Sequence, residues 1–372
     1  MEYVALKDVC KINMGQSPDS SSYNDKKEGI PFYQGNADFG EKHPIPRVWC
    51  NAPTKIAQPK DILMSVRAPI GALNYAQEKC CIGRGLAAIT PDKDKLSLEF
   101  LYWFLRGKNS ELNSKGTGST FKAISKKTLE EIRVPLIDLE KQQKMAQALE
   151  KTYSVIQMRT KQLKELDDLI KARFIELFGD PQRNPHGYKH TKLSDIATYY
   201  NGLTYKPENV ATEGTIVLRS SNIQNSQLDF ADTVRVDCAI KERLMVQKND
   251  ILMCSRNGSA KLVGKVALIK DIQEPMSFGA FMMIIRSHYF GYLMTYFQMD
   301  AFRQQIKTSA TTTINQITGR MLDDVTIPLP PMSLVDKFAT FVEQIDKSKA
   351  TVQKALDETQ LLFDSLMQQY FG

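Results

Sequence analysis

Cysteine and tryptophan are scarce in this 372-residue chain, with six and two copies. The cysteines, Cys10, Cys50, Cys80, Cys81, Cys238 and Cys254, include one vicinal pair and no Cys-x-x-Cys. A structural zinc site wants ligands paired about two to four residues apart, and disulfide frameworks belong to small secreted chains, so buried free thiols are expected. Of the four histidines (His43, His186, His190, His288), His186 and His190 stand four apart, but Pro185 and Gly187 argue against a helix that would bring both rings to one face. Long apolar runs are missing too. The longest, Phe278 to Ile285, stops at Arg286, far short of the roughly 20 residues of a membrane span. Glu2, Lys7 and Asp8 interrupt the first ten residues, unlike a secretory leader, so a cytoplasmic protein without a membrane partner is expected.

The signatures of self-contained catalysis are equally thin. An amino-group methyltransferase holds its target base with an Asn/Asp-Pro-Pro-aromatic string, and the nearest match, Asn184-Pro-His-Gly-Tyr188, has one proline and follows no strand. For a metal-dependent nuclease, Pro18-Asp19 with Asp25-Lys-Lys27 lies in a Ser- and Asn-rich loop that does not pre-position carboxylates. Gly116-Thr-Gly-Ser-Thr120 lacks the Gly-Lys-Ser/Thr ending of a phosphate-cradling loop. Neither a catalytic residue nor a metal ligand is assigned, and no cofactor is expected in this chain.

What is present is a plan written twice. Leu129-Glu-Glu-Ile-Arg-Val-Pro-Leu136 matches Leu322-Asp-Asp-Val-Thr-Ile-Pro-Leu329 at an offset of 193, which also carries Phe178-Gly179 onto Phe371-Gly372. Asp61-Ile-Leu-Met64 recurs as Asp250-Ile-Leu-Met253 and Leu6-Lys-Asp-Val9 as Leu193-Ser-Asp-Ile196, at offsets of 189 and 187. Such self-similarity marks a repeated architecture. Two segments, 138–179 and 332–372, read as long helices entered from proline clusters. In the first, Leu149, Ile156, Leu163, Ile170 and Leu177 recur every seven residues; in the second, Leu356 and Phe363 continue that phase, beside the apolar row Phe338, Ile345 and Val352. This is a coiled-coil seam, and helices of equal phase most simply bury their stripes on each other. Each would run roughly 60 Å.

The expected fold is therefore α+β: two homologous mixed α/β domains separated by two long antiparallel coiled-coil helices, a pseudo-twofold internal repeat. The segments are domain 1 (1–137), helix 1 (138–179), a linker dense in helix breakers (180–187), domain 2 (188–331) and helix 2 (332–372). Strands are predicted at Asp61 to Val66, Thr215 to Leu218, Lys265 to Ile269 and Phe281 to Ile285, and helices near Leu98 to Arg106 and Tyr289 to Ile306. The formal charge is +7, yet the helical segments hold 12 of the 49 basic and 13 of the 42 acidic residues. The blocks keep 37 and 29, or +8, an excess that fits phosphate-binding modules held on neutral spacers and does not by itself exclude a plain solvated surface.

The order and duplication of Asp61-Ile-Leu-Met-Ser-Val-Arg-Ala-Pro-Ile-Gly71, Gly83-Arg-Gly-Leu-Ala87, Gly116-Thr-Gly-Ser-Thr-Phe121, Leu218-Arg-Ser-Ser-Asn-Ile223, Asp250-Ile-Leu-Met-Cys-Ser-Arg-Asn-Gly258 and Pro328-Leu-Pro-Pro331 cover nearly the whole chain. Together they resemble the specificity subunit of type I restriction-modification enzymes. The resemblance implies two target-recognition domains, each reading one half of an interrupted double-stranded DNA site, and a subunit that does no chemistry. It implies partners as well: methyltransferase subunits, two of them on a pseudo-twofold body, with S-adenosylmethionine, and restriction/translocase subunits driven by ATP. Half-sites one helical turn apart, roughly 34 to 36 Å, lie within reach of helices of that length.

Base edges are read chiefly by Arg, Lys, Asn, Gln and Ser/Thr, and phosphates by Arg, Lys and backbone amides. Side chains of these types beside glycine-rich or turn sequence, together with one tyrosine, give the DNA-binding candidates Tyr33, Gln34, Asn36, Arg67, Arg84, Ser119, Thr120 and Lys122 in the first domain. The second offers Arg219, Ser220, Asn222, Arg256, Asn257, Lys261 and Lys265. Arg67 and Arg256 occupy equivalent repeat positions, although an arginine anchoring the fold would recur in the same way. The rival readings are a self-contained methyltransferase or nuclease and a coiled-coil adaptor without DNA; the adaptor accounts for the helices and not for the duplicated basic blocks.

Overall fold

The computed structural model describes residues 2–117, 122–309 and 315–372. They form two compact units, Met1–Thr160 with Lys354–Gly372, and Lys161–Gln353. The division runs through both long helices, so packing groups a block with the helix ends that cover it.

Each unit is built on the same four-stranded antiparallel sheet. In the first the order is Cys10–Met14, Leu86–Pro91, Ile62–Ser65, Leu73–Tyr75; in the second, Thr198–Asn201, Met282–Arg286, Ile251–Cys254, Val266–Leu268. Even the register repeats, Ile62 facing Ile89 as Ile251 faces Ile285. The Ile-Leu-Met runs do not alternate with polar residues because both faces of these sheets are covered. Ile62 and Met64 join the core under the helices while Leu63 joins the core under a second sheet; Ile251 and Met253 divide from Leu252 in the same way. That second sheet contains a parallel pair, Ile30–Tyr33 with Cys80–Ile82 in the first unit and Thr215–Leu218 with Met276–Phe278 in the second. A two-stranded ribbon closes each block, Glu2–Ala5 with Arg133–Leu136 and His190–Lys192 with Thr326–Pro328. The expected strands are thus present within a residue or two.

The recurring aspartate locks a turn. Asp61 and Asp250 follow residues in the left-handed region, Lys60 (φ 75°) and Asn249 (φ 69°), and each carboxylate accepts the amide of Gln58 or Gln247 at 2.8 and 2.7 Å. The remaining acceptor capacity is met differently. Asp61 takes the Thr90 hydroxyl at 2.6 Å, whereas Asp250 takes Nε and Nη2 of Arg286, both at 2.7 Å. Thr90 and Arg286 are repeat equivalents, so one unit closes this buried site with a hydroxyl hydrogen bond to the carboxylate and the other with an ion pair.

The long helices span Leu139–Phe178 and Met332–Phe371. Asp138 begins the first by accepting the amides of Glu140 and Lys141. They run antiparallel within each unit. In the first, Leu149, Tyr153 and Ile156 meet Phe363, Leu366 and Tyr370 around Trp103. In the second, Ile170, Phe174 and Leu177 meet Phe338 and Val342 around Tyr292. Leu163, Ile345, Val352 and Leu356 are half-buried. Polar residues are tied down where they enter the seam: Lys349 pairs with Asp167, and Arg159 donates to the Ala355 carbonyl and the Thr359 hydroxyl.

One helix differs from expectation. Leu98–Gly107 forms as one piece with Ser97 as its cap, but the stretch near Tyr289 to Ile306 is two helices, Phe290–Tyr296 and Asp300–Ser309. No Gly or Pro marks the break; it turns the buried Phe297 onto Phe302, ring centroids 4.8 Å apart. The linker turns on Gly179 (φ 74°) and Gly187 (φ 64°). All six cysteines are free and five are buried, and burial pushes the Cys10 and Cys80 thiols up to about 12. Among the described residues no helix is long and apolar enough to cross a membrane.

Candidate nucleic-acid interface

The parallel strand pair of each unit ends in a tight turn, and the two turns are framed alike. Gly83 donates to the Tyr33 carbonyl and accepts from Leu86; Gly279 donates to Leu218 and accepts from Met282, all at 2.8 to 3.0 Å. Gly15 and Gly202 face these turns so closely that an added Cβ would stand 2.1 Å from the carbonyl oxygen of Gly83 or Gly279. Only glycine fits there. The third turn residue is fixed by its carbonyl: Gly85 accepts from the Val66 amide at 2.9 Å, and Phe281 accepts from the amides of Ser255 and Arg256 at 3.0 and 3.1 Å. The frame is mostly backbone, with the Ser255 hydroxyl also donating to the Phe281 carbonyl at 3.0 Å, and it leaves Arg84 exposed in one unit and Ala280 and Phe281 exposed in the other, while Gly85 is buried.

A second loop follows the neighbouring strand. In the first unit Asp38 accepts the amides of Gln34 and Gly35, leaving the Gln34 side chain exposed and Asn36 half-exposed beside the Arg84 turn. In the second, Asn222 takes the place of Asp38. It accepts the Arg219 amide at 2.8 Å and donates to the carbonyls of Asp229 and Asp232, both at 2.8 Å. Asn222 is fully buried, with its amide already spent on backbone, and does not present an edge to a base. Tyr33, 3% exposed, belongs to the core with Ala57 and Leu63, where burial raises its hydroxyl above the usual tyrosine range. The Asn222 side chain serves its own turn first, and the Tyr33 ring packs into the core. Replacing Asn222 by alanine should lower the stability of the second unit by about 1–3 kcal/mol, since Asp229, Asp232 and Arg219 each lose a partner. Thermal unfolding measures this; a fully stable variant with relaxed sequence preference would return Asn222 to the reading surface.

A third loop carries Arg67 and Arg256, both exposed, just after the central strand. Backbone bridges tie Arg67 to Ala123 and Arg256 to Gln316. Lys122 is exposed beside the first bridge and Lys261 in the second unit, while Ser119 and Thr120 lie outside the described residues. Lys265 is half-buried, and its ammonium donates to the Ile223 carbonyl at 2.8 Å, which makes it a strut for the hairpin Ile223–Leu228.

The structure thus brings Gln34, Asn36 and Arg84 together on adjoining turns of the first unit, flanked by Arg67 and Lys122. In the second unit Arg219, Ser220, Arg256 and Asn257 converge: Asn257 Nδ2 lies 3.3 Å from Ser220 Oγ, and Arg219 pairs with Asp232 at 2.7 Å. Beside them opens a cleft of about 380 Å³ lined by Tyr205, Arg219, Ser220 and Phe281. Reasoning from polar types passed over Tyr205 and Phe281. The signal for Phe281 lay in the repeat, which sets it opposite Gly85.

Two copies of one scaffold, each ending in loops with exposed basic side chains, define a duplicated recognition protein. Among the described residues no group of three or more His, Cys, Asp or Glu gathers to hold a metal ion. The family model described as type I restriction modification DNA specificity domain matches residues 1–168 and again 185–359, and the chain belongs to that family. A specificity subunit is not itself the enzyme. The putative type I restriction enzyme MjaX specificity subunit of Methanocaldococcus jannaschii is 45% identical over 161 residues, 43% of this chain and 38% of that one. The EcoKI specificity subunit of Escherichia coli K12 is 29% identical over 183 residues, 46% and 39% of the two chains. The match thus spans about two fifths of the length of each relative. The crystal structure of a type I restriction-modification S subunit from M. genitalium aligns with 100% of this chain and 96% of its own at a TM-score of 0.62 and 15% identity, a likeness of fold.

Proposed function

We propose that the chain is the DNA-reading component of a type I restriction-modification complex, with each unit reading one half of an asymmetric, interrupted duplex site. The observation that carries this is the pair of turns held by similar backbone frames and tipped with different residues, Arg84-Gly85 against Ala280-Phe281. A shared frame would meet the groove in the same way twice, and different tips would prefer different bases. Exposed cations beside the tips, Arg67 and Lys122 in one unit and Arg256 and Lys261 in the other, would hold the phosphates. Each unit also offers one equivalent pair of helix ends, so a partner that fits one fits the other. Two methyltransferase subunits would dock there, bringing S-adenosylmethionine, and the ATP-driven restriction subunits would join them.

The test is selection from random-sequence duplexes, with and without a methyltransferase partner. The expected result is one enriched sequence made of two short fixed blocks around a spacer of constant length. Enrichment of a single uninterrupted block, or none, would leave the coiled-coil adaptor as the better reading.

A further inference from the structure

We infer that Phe281 is a sequence-discriminating contact of the second unit, an apolar reader that packs on the 5-methyl group of a thymine in its half-site. The inference rests on the DNA-reading proposal and adds a residue and a ligand chemistry to it. Phe281 is 59% exposed, although large apolar side chains in this chain are mostly buried. Its exposure is not slack in the backbone. The carbonyl of Phe281 takes hydrogen bonds from the Ser255 amide, the Arg256 amide and the Ser255 hydroxyl at 3.0 to 3.1 Å, and the turn is closed by Met282 donating to Gly279 at 2.8 Å. The turn that carries the ring is pre-organised for contact, so the backbone's ordering cost is already met in the free protein.

Its surroundings select the occupant. The Arg256 guanidinium lies 5.7 Å from the ring centroid, and Phe281 lines the same cleft as Arg219 and Ser220. Two arginines beside an exposed aromatic suit an anionic polymer with apolar features on its bases, and the major groove offers one such feature, the thymine methyl. Arg256 covers one face of the ring. An intercalating wedge needs both faces for the bases it separates, so the free face and edge are left to make a groove contact. The first unit has Gly85 at this position and the exposed Arg84 beside it. It lacks this contact and reads its half-site by other means.

The experiment uses the chain in complex with its methyltransferase partner and the site found by selection. Each thymine of both half-sites is replaced in turn by deoxyuridine, which removes only the methyl. One position in the second half-site should weaken wild-type binding about fourfold, the worth of one buried methyl. Phe281→Ala should abolish that sensitivity and relax selection at that base pair about tenfold. The first half-site and the salt dependence of binding should be unchanged, because no phosphate contact is lost. Phe281→Leu should retain the thymine preference, which separates loss of the contact from loss of the fold. The inference is overturned if the second half-site contains no deoxyuridine-sensitive thymine, if Phe281→Ala keeps the sensitivity, or if the loss follows base-step flexibility rather than the methyl. A clear two-block site with any of these outcomes leaves the DNA-reading proposal standing, whereas failure to select any two-block site counts against that proposal itself.

Discussion

Asp250→Ala is expected to destabilise the second unit by about 3 kcal/mol, at the lower end of the range for breaking a buried ion pair. Asp250 is 1% exposed and holds both Nε and Nη2 of Arg286 at 2.7 Å. Removing the carboxylate leaves a guanidinium whose side chain is 25% exposed, with the Tyr200 ring 5.4 Å away and a long bond to the Met245 carbonyl for company. Its partial exposure keeps the cost from the top of the range. The amide of Gln247 loses its acceptor as well. Asp61→Ala in the first unit leaves two neutral donors, the Gln58 amide and the Thr90 hydroxyl, without their acceptor and strands no charge, so it should cost less. Because Thr90 does at Asp61 what Arg286 does at Asp250, Arg286→Thr should be milder than Asp250→Ala. Thiol labelling during denaturation localises the effect. Cys254 is buried at the end of the strand that Asp250 begins, while Cys10, Cys50, Cys80 and Cys81 are buried in the first unit. Asp250→Ala should expose Cys254 at lower denaturant and leave those four unchanged; unchanged protection of Cys254 would refute the assignment.

Inserting one heptad into both long helices, after Thr160 and after Gln353, should reduce binding to the original DNA site by about 10²- to 10⁴-fold, the advantage lost when two linked modules can no longer engage together. Seven residues add roughly 10 Å of helix and preserve the heptad phase. Selection with this variant should return the same two half-site sequences with an altered spacer, or no assembly at all. Altered half-sites around an unaltered spacer would show that the helices do not set the spacing. An insertion in one helix alone should be worse, since helices of unequal length cannot keep both the Arg159–Thr359 contact of the first unit and the Lys349–Asp167 pair of the second.

Much of this architecture was legible in the residues, for identifiable reasons. Heptads at Leu149 to Leu177 showed the seam because coiled-coil packing is local and periodic. The paired Asp-Ile-Leu-Met strings located both central strands because a run covered on two faces cannot alternate. The break after Tyr296 was invisible, since it is imposed by the packing of Phe297 on Phe302 and by no breaker residue. The candidate interface was legible at the level of loops and less so of side chains. Arg67, Arg84 and Arg256 are exposed on the expected loops, while Asn222 and Lys265 brace loops from within and Tyr33 sits in the core. A turn next to a strand needs its own acceptors and donors, and sequence does not say which polar residue supplies them. Phe281 escaped for the opposite reason, because an apolar residue next to a strand is ordinarily counted as core.

The grouping of Lys354–Gly372 with Met1–Thr160 also orders events on the ribosome. Domains usually fold as they emerge, the N-terminal one first. Here the first unit lacks Phe363 and Phe371, which pack on Trp103 and Phe100, until a little over 200 further residues have been made. At about 5–20 residues per second, that is a wait of roughly 10–40 s. The second unit, continuous from Lys161 to Gln353, has all its parts sooner, so the half translated first is the half finished last.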